Sequence, residues 1–241
     1  MKKIFLLTLS AAIIGGSAFA QGAGKLIDPF VLPVDSFAAQ LKTHHVPQLI
    51  DVRTPEEFAI NHLYGAVNVD LQKENYLEPL KKFDKENPVY IYAIGNNRSN
   101  ILAKKLRELG YAKVYELEAG IGSWVGAAKP IYTAAKNETT VADYNKLINS
   151  KKLVLVEFGT TYCGACRKVK TILDSLNTAP ASDSKIAFID LYDNPKLVGS
   201  LNTVRAIPTV ILYKDGKEVW RRVGLTFTKE EVAAQLETRN L

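Results

Sequence analysis

The chain of 241 residues has two cysteines, and they stand three positions apart in Cys163-Gly164-Ala165-Cys166. That spacing restricts how such a chain can be held together. A bridge between near neighbours closes a tiny loop and removes little entropy from the unfolded state. Structural disulfides instead tie distant segments to one another. The fold must therefore rest on apolar cores, and the cysteine pair is present for its chemistry.

The N-terminus reads as a targeting signal. Lys2 and Lys3 precede an apolar run from Ile4 to about Gly16, and Ala18-Phe19-Ala20 places small residues where a signal peptidase cuts. The run is shorter than the ~20 residues that a spanning helix needs. The expectation is cleavage after Ala20, an N-terminal extension over 21–33, and a bacterial product exported to the periplasm without stable membrane insertion. Losing Met1 to Ala20 removes two lysines and no acid, so the formal charge falls from +6 to +4. The basic residues are scattered and no tract interleaves them with aromatics, which argues against nucleic acid as a partner. About 220 remaining residues suit two domains.

Two pattern blocks follow. In the first (34–125), Ser36 to Lys42 predicts a helix and Leu49 to Val52 a buried strand. Thr54-Pro55-Glu56-Glu57 opens a helix: Thr54 caps it, Pro55 fits its first position, and both acids favour its positive end. Val67 to Val69 and Val89 to Tyr92 read as strands. Ile101, Leu102, Lys105, Leu106 and Leu109 keep helical spacing up to Gly110, and Val114 to Leu117 is a further strand. Strands alternating with helices imply a parallel sheet covered on both faces. Residues 126–139 lack sustained periodicity and read as a linker. In the second block (140–241) the order is α-β-α-β-α-β-β-α. Thr140 with Asp143 and Thr228 with Glu231 mark helix starts. Leu153 to Phe158 and Ile186 to Leu191 are strands, Cys163 to Leu176 and Pro195 to Leu201 helices, and Lys214-Asp215-Gly216-Lys217 joins a hairpin of Thr209 to Tyr213 with Glu218 to Val223.

Cys163 thus falls where a strand gives way to a helix, so its sulfur faces unpaired backbone N–H groups and the positive end of the helix dipole. Such places favour the attacking thiolate. Cys166, one turn on, is more sheltered and suits a resolving thiol. Two competing readings are an inert bridge and a zinc site. The second has no second C-x-x-C to draw on, and His44, His45 and His62 lie in the other block.

The run Val154-Leu155-Val156-Glu157-Phe158, then Tyr162-Cys163-Gly164-Ala165-Cys166-Arg167, then Ile207-Pro208-Thr209 resembles thioredoxin over roughly 140–241. The resemblance implies a central mixed sheet flanked by helices and a Cys163–Cys166 dithiol/disulfide couple. It implies that Pro208 is a cis proline facing the cysteines, and that Ile207 offers backbone groups to an extended substrate strand, with Tyr162 beside it. Glu157 stands where the family has a buried acid, usually Asp, that takes the proton of the second cysteine. The sequence departs from the family at Tyr162 (usually Trp), at Ala165 (usually Pro), and at Phe188 where a lysine is frequent.

The first block is similar to a rhodanese domain. Matching elements are Leu49-Ile50-Asp51-Val52-Arg53, Glu56-Glu57-Phe58, His62-Leu63-Tyr64-Gly65-Ala66-Val67-Asn68, Val89-Tyr90-Ile91-Tyr92, Gly95-Asn96-Asn97-Arg98-Ser99 and Gly120-Ile121-Gly122-Ser123-Trp124. The position of that family's catalytic cysteine is Ala93, whose methyl group cannot hold a persulfide, so this domain is expected to be inactive. What survives is a loop at a helix N-terminus, where Gly95, Asn96, Asn97 and Arg98 would cradle an anion. Asp51, Arg53 and His62 read as polar residues that support the fold.

The expected function is an exported thiol–disulfide oxidoreductase acting on protein disulfides or thiols, with a membrane redox partner and with the first domain serving interaction or anion binding. No cofactor and no metal is called for. Two other readings stand beside it. One is a binding protein for a client or a sulfur-containing anion, with the cysteine pair as a redox latch. The other is sulfur transfer moved to Cys163.

Overall fold

The computed structural model describes residues 28–177 and 183–240. The expected signal peptide and its cleavage after Ala20 lie outside the described residues. The chain enters through β1 (Val31–Leu32), α1 (Val34–Lys42), β2 (Gln48–Asp51), α2 (Pro55–Ile60), β3 (Asn61–His62) and β4 (Val67–Asn68), then a single 3-10 turn. It continues through β5 (Val89–Tyr92), α3 (Asn96–Glu108), β6 (Val114–Leu117), α4 (Gly120–Gly126) and β7 (Tyr132–Thr133). The second half comprises α5 (Val141–Ile148), β8 (Leu153–Gly159), α6 (Gly164–Asn177), β9 (Ser184–Asp190), α7 (Pro195–Leu201), β10 (Thr209–Lys214), β11 (Lys217–Val223) and α8 (Lys229–Asn240).

The first sheet is parallel throughout, in the order β1-β6-β5-β2-β4. Its strands are apolar on both sides because helices cover both. Leu49, Tyr90 and Tyr92 point to one layer with Phe37 of α1 and Trp124 of α4. Ile50, Val89 and Ile91 point to the other with Leu102, Ala103 and Leu106 of α3. The end of the 21–33 extension is the edge strand β1 of this sheet. The α2 start is a full capping box: Thr54 Oγ1 accepts from the N–H of Glu57, and the Glu57 carboxylate accepts from the N–H of Thr54.

The second sheet is mixed, in the order β11-β10-β8-β9, with β8 and β9 parallel and the rest antiparallel. The β10–β11 turn puts Asp215 at φ 51° and Gly216 at φ 72°, a left-handed pair that suits Asp-Gly. Leu153 and Leu155 of β8 face α6 and α8, whereas Val154, Val156 and Phe158 face the other way. That second face belongs to the same apolar cluster as Phe37, Tyr90 and Trp124, so one core runs through both blocks.

The segment read as a linker is built into this junction. β7 pairs antiparallel with β3, Ala134 N–H donates to the Ile60 carbonyl at 2.8 Å, and Trp124 Nε1 donates to the Pro130 carbonyl at 2.9 Å. These bonds are to residues far back in the chain or to a side chain, which local periodicity does not register. α4 packs against α7 and against the approach to Pro208. At Gly126 a Cβ would collide with the Val204 carbonyl, and at Gly122 it would lie 3.7 Å from the Ile207 nitrogen. Among the described residues no helix is long and apolar enough to cross a membrane.

Candidate active site

β8 is buried along its whole length and ends at Gly159. The chain then turns through Thr160, Thr161 and Tyr162 into α6. Cys163 N–H donates to the Thr160 carbonyl at 3.1 Å, which closes this turn and puts the cysteine at the head of the helix. Cys163 and Cys166 form a disulfide with their Cα atoms 5.2 Å apart. Cys166 N–H, one of the helix's unpaired N-terminal donors, points at Cys163 Sγ at 3.2 Å. Once the bond is reduced, that donor stabilises negative charge on Cys163 rather than on Cys166. Both cysteines are buried, Cys163 6 % exposed and Cys166 2 %.

Glu157 lies on the α6 face of β8 and is fully buried. A side chain at Gly159 would meet Cys166 Sγ at 3.1 Å and Glu157 Oε1 at 3.3 Å, so sulfur and carboxylate border the same small space. Oε1 has no hydrogen-bond partner. Burial raises the Glu157 carboxyl to about 7, with Lys170 opposing and Asp174 adding to the shift. A carboxyl poised there can exchange a proton with Cys166 near neutral pH. Phe188 is the registered neighbour of Glu157 on β9 and is 38 % exposed, so no cation takes that place.

The Ile207–Pro208 peptide is cis. Tyr162 is half-exposed and stacks on Tyr192 with ring centroids 5.7 Å apart. An open cleft of about 470 Å³ beside the start of α6 is lined by Gly164, Ala165, Arg167, Lys168, Thr171 and Leu225. Sequence reasoning missed Asp190, which closes β9: its Oδ1 accepts from the Tyr192 N–H at 2.8 Å, and burial raises its carboxyl.

In the first domain Ala93 is buried, and its carbonyl accepts from Ile121 N–H at 2.8 Å. Gly120, at φ 59°, lies so close to the Ala93–Gly95 backbone that any side chain would collide with it. The positions expected to cradle an anion are turned inward in part. The Asn96 side chain spans the Leu117 carbonyl and the Ala119 N–H. The Arg98 guanidinium grips Glu57 by two bonds, at 2.8 and 3.1 Å. Gly95 caps α3 without a side chain and Asn97 is exposed. Asp51 and Arg53 form a fully buried pair, and His62 is stacked between Phe58 and Tyr132. Among the described residues no group of three or more His, Cys, Asp or Glu could hold a metal ion.

The comparisons with known proteins divide along the same line. Residues 34–127 match the family model described as a rhodanese-like domain, and residues 135–238 match the one described as thioredoxin. The chain is 41 % identical over 78 residues to thioredoxin of Mycobacterium tuberculosis, covering 32 % of this chain and 66 % of that protein, just short of two thirds of its length. It is 33 % identical over 97 residues to thioredoxin of Alicyclobacillus acidocaldarius, covering 40 % of this chain and 90 % of that protein. Against thioredoxin of Listeria monocytogenes it is 37 % identical over 83 residues, with 34 % and 79 % covered.

Proposed function

Because the chain belongs to the thioredoxin family, with a rhodanese-like domain ahead of the thioredoxin domain, we propose that it is an exported oxidoreductase that exchanges thiols and disulfides with client proteins. The observation that carries this reading is the Cys163–Cys166 pair at the head of α6, with a helix N–H on Cys163 Sγ and, beside Cys166, the Glu157 carboxyl whose Oε1 has no hydrogen-bond partner. In the reducing direction the Cys163 thiolate attacks a client disulfide and forms a mixed disulfide, and the departing client sulfur takes up a proton. Glu157 accepts the proton of Cys166, whose thiolate attacks Cys163 Sγ. The second client thiol leaves, and two electrons have passed from the pair to the client. The oxidising direction is the same sequence reversed.

Periplasmic location, cleavage after Ala20 and a membrane redox partner belong to this proposal. They are supported by the Lys2-Lys3 start, the apolar run and Ala18-Phe19-Ala20. Pro208 and Ile207 would hold the client strand, with Tyr162 at its edge. In the first domain a client or a small anion would meet the loop at Gly95 and the exposed Asn97, since the Asn96 and Arg98 side chains are held by internal bonds. Replacing Cys163 tests the whole. Cys163→Ser should bring insulin-disulfide reduction and dithiol oxidation to background, and undiminished activity would remove the assignment. Equilibrium with glutathione gives the direction: a potential near about −270 mV marks a reductant and one near about −120 mV an oxidant.

A further inference from the structure

The first domain has no cysteine, yet it carries a buried ionic frame. Arg53 is fully buried and bonds Asp51 through Nε and Nη2 and Asn61 through Nη1 and Nη2. Glu57, equally buried, takes both bonds from Arg98 and one from Thr54 N–H. Burial alone would raise the Glu57 carboxyl, but the Arg98 hydrogen bonds and charge outweigh it and hold the group below its ordinary range. Stability does not ask for such a frame, since a buried ion pair can often be replaced by apolar side chains at no loss.

The frame closes on one residue of the other domain. Tyr192 follows β9, and its hydroxyl donates to Glu57 Oε1 at 2.8 Å. Its ring lies 5.1 Å from the Arg53 guanidinium. Its carbonyl accepts from Asn61 Nδ2 at 3.4 Å. Hydroxyl, ring and backbone are thus all anchored by the first domain. Tyr162 stacks on the same ring and directly precedes Cys163.

We propose that Tyr192 is a positioning residue for the redox site, through which Glu57 and Arg53 of the first domain set the place of Tyr162 and hence the access and orientation of Cys163. The rhodanese-like domain is then a fixed support for the thioredoxin site. This rests on the reading of Cys163 as nucleophile.

The test uses the reduced full-length protein and two readouts. The first is kcat/KM for insulin reduction. The second is the rate of Cys163 alkylation by iodoacetamide as a function of pH, which needs no turnover and so stands apart from the functional reading. Tyr192→Phe keeps the ring and its burial but loses the bond to Glu57, and Glu57→Gln weakens the same bond from the other side. Each should lower kcat/KM about fivefold, the factor that one net hydrogen bond sets, and displace the alkylation profile. Glu57→Gln also disturbs the bonds from Arg98 and Thr54, but Cys163 feels Glu57 through Tyr192, so the alkylation profile of the double variant should move no further than that of the worse single. Variants that match wild type in both readouts overturn the proposal. So does a loss of rate that tracks loss of folded protein while the alkylation profile stays put. A wild type inactive on insulin overturns the functional reading, and the alkylation arm still decides the role of Tyr192.

Discussion

The two domains contain the same local device, a buried interior strand running into a helix N-terminus, at β5–α3 and at β8–α6. At the first, Ala93 stands in the turn, Ile121 bonds its carbonyl, and Gly120 closes over the loop. The nearby Arg98 and Glu57 satisfy one another. At the second, Cys163 stands at the helix head, a helix N–H is aimed at its sulfur, and Glu157 has an oxygen with no partner. The difference shows what pairing does to a polar group. A carboxylate with several donors, such as Glu57, is held charged and fixed, and it serves as a strut. One buried without a donor has its ionisation brought near neutrality, and it can pass a proton.

Breaking the strut should have the larger effect on stability. Asp51 is a second carboxylate of that kind, and Arg53→Met takes the guanidinium from it while leaving it buried with the residue 53 N–H, a loss of one member of a buried pair that costs about 3–5 kcal/mol. Urea unfolding should show it as a lower midpoint. An unchanged midpoint would mean that the Asp51–Arg53 pair is not a support. Glu157→Gln comes next and carries the opposite sign. The native carboxyl titrates at about 7 and the free group at 4.5, so between those values the folded protein holds a proton that the unfolded chain has released. Its contribution is complete below the lower value and is lost as pH rises through the upper one, by roughly 3 kcal/mol at most. Gln should flatten that slope, make the variant the more stable above neutrality, and slow the Cys166 step so that mixed disulfide accumulates. A wild-type stability that climbs through this window would contradict the assignment of a partnerless buried acid.

What could be read from the residues follows the reach of the interactions. The strands β2, β4, β5 and β6 and those of the second sheet carry apolar runs long enough to show without their partners, and the cap at Thr54, the Asp215-Gly216 turn and the helix head at Cys163 rest on contacts within a few positions; the two-residue edge strand β1, whose partner β6 is 85 positions on, stayed inside the 21–33 extension. The matched families order the domains as the motif sets imply. Glu57 was legible only as a helix-start acid, because its partners Arg98 and Tyr192 lie 41 and 135 positions away. Tyr192 had no signal at all, standing in a loop with no motif around it. The 126–139 segment looked structureless because β7 finds its partner strand 71 positions back, at β3. Phe188 illustrates a third case. The residue type was readable, but its exposure follows from the edge position of β9, which only the sheet order supplies.

The smallest effect tests whether the two domains are seated as one body. α4 approaches residues 204–207 with glycine at both contact points, and the two glycines differ in what they tolerate. At Gly126 a Cβ would run into the Val204 carbonyl, which is backbone and cannot swing aside. At Gly122 it would find Ile207 and Ala206 at 3.7–3.8 Å, an ordinary packing distance. Alanine gains ~1 kcal/mol over glycine inside a helix, and overpacking costs ~1–3 kcal/mol. Gly126→Ala should therefore lose about 1 kcal/mol net, whereas Gly122→Ala should hold or gain slightly. Thermal unfolding of the two variants side by side reads the contrast. Gly126→Ala should also loosen the junction enough for limited proteolysis to cut within 126–139, where β7 is otherwise held against β3. Equal behaviour of the two variants would mean that α4 does not rest on the Pro208 loop, and the first domain would then have no fixed purchase on the redox site.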